Sequence, residues 1–429
     1  MLNARKVASA IATGTLLLNA FATTAFASTD LIISDNGANS NSSVNLTQNS
    51  STNVVQSNDA HVNNSVNSSA STGNNSASFN NGGSVKVDTG NATTNTTVQT
   101  SANVNKADIA NCNCNQDTNV TISNNAAYSN NTANLTNNSS VNAYQDNHAK
   151  IDNDVYSTSK TGGNSADFNN GGSVMVKTGD ATTDTSVLNE ANANLLKIGG
   201  SGHGSGAGLS VRILGNAAFS NNTVDLDAHP SVLVSQDNNA HIDNDVDSSA
   251  KTGNNSADFN NGGSWGNGVT IDTGDASTTT MVDNMVNFNA ADVDCGCLLD
   301  TLAKVAGNAY GSNNKIDADL GSSLGIFQDN CGQGHGVWEL GRKRNKCGID
   351  NDVNSKAKTG DNDAGFNNAG SQGGDPSINT GDATEDTNVS NQSNMNVVGP
   401  TGTSIDLPGD TTINLNLDLG ALLALLHLV

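Results

Sequence analysis

The side chains of this chain whose types and spacing could do chemistry are six cysteines and several short runs of alternating aspartates. Cys112 and Cys114 form one Cys-x-Cys pair, Cys295 and Cys297 a second, and Cys331 and Cys347 bracket a stretch of their own. Two Cys-x-Cys pairs brought together suit a soft metal ion. In an oxidising compartment an even number of cysteines points instead to disulfides, and that reading is preferred here. A Cys331–Cys347 bridge would close the base of a loop, while the pairing of the other four stays open.

The aspartates invite a different ligand. Asp243, Asp245 and Asp247 stand two apart, as do Asp152 and Asp154, and Asp350 and Asp352. On an extended strand such carboxylates share one face at about 7 Å, so a single row makes a poor cage. Rows stacked from neighbouring strands could complete an oxygen shell for Ca2+, the one cofactor retained as an alternative. A solubilising outer face is the preferred reading, because the matching positions earlier in the chain are Asn63 and Ser65. No catalytic residue is assigned. Residues 262–266 and 321–325 both spell Gly-x-Ser-x-Gly, but neither opens a helical pattern, which a nucleophile elbow requires. Catalytic sites are singular, whereas nearly every notable residue here recurs.

The recurrence is the organising fact. TGNNSASFNN at 72–81 returns as TGGNSADFNN at 161–170, TGNNSADFNN at 252–261 and TGDNDAGFNN at 359–368. A second Thr-Gly follows in each copy, at Gly90, Gly179, Gly274 and Gly381. Gln-Asp-Asn precedes the last three copies at Gln145, Gln236 and Gln328. The repeats are placed at 28–110, 111–198, 199–294 and 295–399, the fourth lengthened by an insertion at 331–347, with a distinct apolar tail over 400–429. The insertion interrupts no flanking pattern, so its site is a surface bend.

Within a copy the period is two. Ala240, Ile242, Asn244, Val246, Ser248 and Ala250 alternate with His241, Asp243, Asp245, Asp247, Ser249 and Lys251. A small or apolar face thus backs onto a charged one, the pattern of a β-strand. A later stretch, from Ala276 through Val286 to Phe288, is read the same way. The chain holds 71 Asn and 44 Gly among 429 residues but only 3% aromatics. Such inward faces fill a thick oily core badly and thin stacked rungs well. The expected fold is all-β, a repetitive β-solenoid-like rod, with tandem small β-sandwich domains as the alternative. In the solenoid, inward Asn64, Asn153, Asn244 and Asn351 would form a hydrogen-bonded ladder through the stack.

The formal net charge of −23 repels phosphate backbones, so nucleic acid is not an expected partner. Residues 1–27 run from Arg5 and Lys6 through an apolar segment to Ala25-Phe26-Ala27, the order of a secretory signal peptide. No later run is long and apolar enough for a transmembrane span. The tail after Thr411 could add to a neighbouring sheet edge or fold back on its own chain.

The recurring TGxNxAxxNxGG followed by V-x-V-x-TGDA resembles the repeats of secreted Asn-, Gly- and Thr-rich proteins of bacterial cell surfaces. Short pieces such as Ser43-Val44-Asn45-Leu46-Thr47-Gln48 resemble curlin repeats. The resemblance implies a cross-β solenoid and a role in a biofilm matrix. The expected function is that of a secreted, non-catalytic structural protein of the cell surface or extracellular matrix. It would assemble through strand stacking and disulfides, with itself or other surface proteins as partners. The alternatives are a calcium-dependent adhesin or carbohydrate-binding rod that contacts glycans, and a β-helix glycan-processing enzyme.

Overall fold

A computed structural model describes residues 29–109, 118–199, 209–262, 268–293, 301–331, 347–368, 374–399, 404–407 and 411–414. Among them every regular element is a β-strand. Each sequence repeat builds one coil of a parallel stack. The first coil comprises a short strand (Thr29–Ser34), a long one (Asn41–Ser71), a linking strand (Val85–Asp88) and a return strand (Ala92–Ile109). The second repeats this as Thr118–Ser123, Asn130–Lys160, Val174–Lys177 and Ala181–Ile198.

Each strand lies parallel to, and in register with, its equivalent in the next coil. Ala60 pairs with Ala149 and Ala149 with Ala240, 89 and 91 residues on. Four sheets therefore run through all four repeats, with each repeat supplying a strand or strand segments to each sheet. Sheets shared in this way exclude a string of separate sandwiches.

In the third coil the long strand is broken into Asn221–Ala228 and Ser231–Lys251 around His229 and Pro230. Proline has no N–H for the ladder, but its carbonyl still accepts from Ser323 N at 3.0 Å. In the fourth coil the insertion divides the long strand again, into Asn313–Leu320, Ser323–Asn330 and Gly348–Lys358. The flanking register survives, since Asn238 pairs with Asn330 and Ile242 with Ile349.

Inside a coil the return strand folds back over the second half of the long strand, and the short strand covers its first half. Their facing side chains form thin apolar columns. Leu31, Ile33, Val120, Ile122, Val211 and Ile213 meet Ala133, Leu135, Val224 and Leu226. Val98, Val187 and Val282 meet Val155 and Val246. A column of valines and isoleucines, each contributing about 1.5–3 kcal/mol when fully buried, replaces the globular core that this composition cannot build.

The fold is all-β and β-solenoid-like, as the repeats predict. A 31-residue strand such as Asn41–Ser71 has a contour length near 100 Å at about 3.3 Å per residue. Four coils at roughly 4.8 Å spacing stack to only about 19 Å. One chain is broad along its strands and short along the stack.

The alternation read across Ala276–Phe288 changes phase before it ends. Asn287 adopts φ 60°, as do Asn103 (60°), Asn192 (62°) and Asn394 (62°) in the other coils. Each is a bulge that the ladder skips, with Val286 paired to Ala191 and Phe288 to Ala193. One extra residue moves the later side chains to the opposite face. Asn289 therefore joins the inward face, and Phe288 leaves the face of Val286.

Candidate functional site

An extended amide network runs along the stack axis. Asn64 Nδ2 donates to Asn153 Oδ1 at 2.7 Å, Asn153 to Asn244 at 2.6 Å, and Asn244 to Asn351 at 2.6 Å. A second column on the return strands runs beside it, with Asn189 donating to Asn284 (2.8 Å) and Asn284 to Asn391 (2.7 Å). Rungs join the two: Asn153 to Asn189 at 3.0 Å, Asn189 to Asn244 at 3.0 Å, and Asn244 to Asn284 at 3.1 Å. Asn153, Asn189, Asn244 and Asn284 are all buried. An asparagine has two N–H groups and one carbonyl oxygen, so one residue can donate upward and sideways while accepting from below and across. Buried amides are tolerated here because each has partners.

Further columns were not singled out by sequence reasoning. Asn58, Asn147 and Asn238 face Asn105, Asn194 and Asn289, linked by bonds such as Asn147 to Asn194 at 2.8 Å and Asn194 to Asn289 at 2.9 Å. A glutamine column runs the opposite way, Gln236 Nε2 donating down to Gln145 Oε1 at 2.7 Å. The signal was present as Asn-x-Asn recurring in every copy, at Asn103/Asn105, Asn192/Asn194, Asn287/Asn289 and Asn394/Asn396. A period-two reading alone cannot see it, because the first Asn of each pair is the bulge.

Glycine and phenylalanine columns occupy the turn after the long strand. Gly73, Gly162, Gly253 and Gly360 have φ between 98° and 113°, a region closed to most L residues. A Cβ on Gly162 would lie 2.0 Å from the Gly253 carbonyl oxygen. Phe79, Phe168, Phe259 and Phe366 hold the left-handed conformation, which costs a non-glycine residue roughly 1–2 kcal/mol. Their rings stack at centroid distances of 5.0, 4.9 and 4.8 Å with planes within 4° of parallel, an arrangement that offsets part of that strain.

The carboxylates stand outside. Asp152, Asp243 and Asp350 are aligned one above another on the long strand's outer face, and Asp154, Asp245 and Asp352 form the next column. Asp247 sits between Tyr156 and Asn354, and Asn354 Nδ2 donates to it at 3.1 Å. Lys150 pairs with Asp152. Partial desolvation, reinforced by Asp352, Asp154, Asp247 and Asp243, holds the Asp245 carboxyl above its ordinary pKa. Among the described residues no three His, Cys, Asp or Glu side chains gather in a metal-holding group.

A third acidic column runs through Asp146, which is exposed, and Asp237 and Asp329, which are partly buried. Desolvation first, then Asp146 and Asp329, push Asp237 up to about 6. Asp146 is raised by burial and by Asp59, against the pull of His148. A folded-state pKa above the unfolded value near 3.9 means that the native state binds the proton more tightly. Its stabilising contribution is full below about pH 4 and is lost as pH climbs to about 6. The loss is about 1–2 kcal/mol once solvent screening of a half-exposed group is allowed for. Asp237→Asn is therefore expected to raise the denaturant midpoint at pH 7 and leave it unchanged at pH 4. An equal effect at both pH values would refute the assignment.

The insertion is closed by a Cys331–Cys347 disulfide with Cα atoms 5.3 Å apart. Both sulfurs receive Asn287 Nδ2, at 3.0 and 3.3 Å, which ties the loop base to a bulge. Cys112, Cys114, Cys295 and Cys297, the interior of the insertion, residues 1–27 and most of the tail lie outside the described residues. A shallow cleft of about 220 Å3 on the return strands is lined by Ser186, Val187, Leu188, Glu190, Met281, Asp283 and Met285. No described helix is long and apolar enough to cross a membrane. Comparison with protein-family models, with curated proteins and with solved structures finds no match for this chain.

Proposed function

We propose that this chain is a secreted, non-catalytic structural protein of the bacterial cell surface or extracellular matrix, working through β-strand stacking and disulfides. The observation that carries this reading is that its distinctive side chains are directed at their own counterparts. Asn244 bonds Asn153 and Asn351, Phe168 stacks on Phe79 and Phe259, and Gly162 abuts Gly253. Polar chemistry spent on internal repetition serves rigidity and attachment rather than turnover. Electron microscopy of the purified protein is expected to show ordered assemblies, with a 4.7–4.8 Å cross-β reflection on diffraction. Uniformly single particles at all concentrations would refute the role.

A second reading, a calcium-dependent adhesin, is favoured by one feature only: Asp154, Asp245 and Asp352 stand one above another on neighbouring coils, and a divalent cation would relieve their repulsion. A ligand held only by the folded state raises the melting temperature. Under this reading millimolar Ca2+ shifts the calorimetric melt upward, and Asp245→Asn abolishes the shift. An unchanged melt removes it.

A further inference from the structure

Among the described residues both ends of the stack are open: the first coil's strands pair only with the second coil, and the fourth coil's only with the third. We propose that these ends are two halves of one interface: the fourth coil of one copy receives the first coil of the next, in the register that already relates coils within the chain. This rests on the assembly reading above and specifies its partner, a second copy, and its polarity.

Four observations converge. The first is charge. Continued upward, the register sets the next copy's Asn63 over Asp350, its Ser65 over Asp352 and its Ser57 over Asp329. Within the chain these columns carry a carboxylate in each of the upper three coils, and only the first coil is neutral. Stacking fourth coil on fourth coil would instead oppose aspartate rows, and like charges across a pair of strands are destabilising.

The second is hydrogen-bond polarity. In the central columns each Asn donates to the coil above. Among the described residues Asn64 Oδ1 therefore receives no donor at the bottom, whereas at the top Asn351 Nδ2 donates only sideways, to Asn391 at 3.2 Å. Donors at one end meet acceptors at the other only when the copies point the same way.

The third is Gly90. Its upper equivalents need to be small, since a Cβ on Gly179, Gly274 or Gly381 would lie 2.3–2.5 Å from atoms of the coil below. Gly90 has no positive φ, and nothing lies within 4 Å of where its Cβ would be. A copy beneath it would present that same neighbour. The fourth is the phenylalanine column, whose end rings, Phe79 and Phe366, are 77% and 83% exposed. Each has a ring face on which another ring could stack.

Pairing between two different surfaces does not close on itself when each copy is displaced along the stack axis, so the product is a filament in which each chain adds four coils, about 19 Å. The test uses full-length chains carrying Ser65→Cys, Asp352→Cys or both. In one chain the two positions are three coil steps apart, about 14 Å, too far for a disulfide. Across the proposed junction they are about 4.8 Å apart, within bonding range. Under mild oxidation, mixing S65C chains with D352C chains should give linked heterodimers, and the double variant a ladder of multimers, with the 65–352 linkage identified by peptide mass spectrometry. Neither single variant alone should link through its new thiol. Gly90→Ala should melt with the parent protein while its multimer fraction falls at least tenfold. S65C or D352C chains linking to themselves, or multimers that form undiminished with Gly90→Ala, would overturn the polarity and leave structural assembly standing. Absence of multimers in any form would overturn both.

Discussion

Gly162→Ala should be among the most damaging single methyl additions this protein can receive. The new Cβ would lie 2.0 Å from the Gly253 carbonyl oxygen and 2.9 Å from its carbon, both backbone atoms, at a residue whose φ is 98°. Steric overlap with a neighbouring coil and a forbidden backbone conformation act together, and a loss of about 4 kcal/mol or more is expected. The repeat supplies its own controls. Gly360 has φ 104° but nothing within 4 Å of its Cβ position, so Gly360→Ala should show the backbone cost alone, about 1–2 kcal/mol. Gly90→Ala should cost close to nothing, since Gly90 has neither constraint. Melting temperatures measured at low concentration should rank the three in that order. Equal melting of the Gly162 and Gly360 variants would mean that the coils do not approach each other at these backbones.

The second large effect is expected from an exchange of one atom. Asn244→Asp replaces Nδ2, which donates to Asn284 Oδ1 at 3.1 Å and to Asn351 Oδ1 at 2.6 Å, with an oxygen. Asn244 is fully buried. A carboxylate there would face two acceptors without a countercharge, and a loss of about 3–5 kcal/mol at neutral pH is expected. Its folded-state pKa would be pushed above the unfolded value, so the penalty should shrink as pH falls and the carboxyl regains a proton to donate. Asn67→Asp is the comparison: the same chemistry on the exposed face of the first coil's long strand should change stability by no more than about 0.5 kcal/mol. If both variants melted alike at pH 7, the central columns would not be hydrogen-bonded ladders.

The two experiments probe different parts of one design. Glycines let the turn backbones stack at coil spacing, and asparagines fill the space between the long and return strands with partnered amides. Neither works without the other, because an amide column needs its members about 4.8 Å apart and in register. The disulfide at Cys331–Cys347 lies on the rim, where the insertion leaves the long strand between Asn330 and Gly348.

Much of this is legible in the sequence. The fourfold TGxNxAxFNN motif, the Gly-Asp turns and the alternation from Ala240 to Lys251 specify an all-β repetitive chain. They also specify which face of the long strand is inward, because side-chain direction in a strand depends only on counting by two. That is why Ile242, Asn244 and Val246 are buried while Asp243 and Asp245 are exposed. Local counting fails where the backbone itself departs from extended geometry. The bulges at Asn103, Asn192, Asn287 and Asn394 reverse the facing of the residues after them, and the left-handed Phe79, Phe168, Phe259 and Phe366 turn their rings into a stack. Nothing in the sequence marked those residues as conformationally unusual, since neither Asn nor Phe requires a positive φ.

The sequence by itself determined the strand content, the repeat length and the polarity of each face, all of which are set within a few residues by alternation and turn chemistry. Only the tertiary structure decided that segments 89 to 107 residues apart lie in register. It also decided that the return strand brings Asn189 and Asn284 against Asn153 and Asn244. Register between distant segments depends on how many identical side chains can pair at once, a property of the whole stack that no single stretch of chain contains.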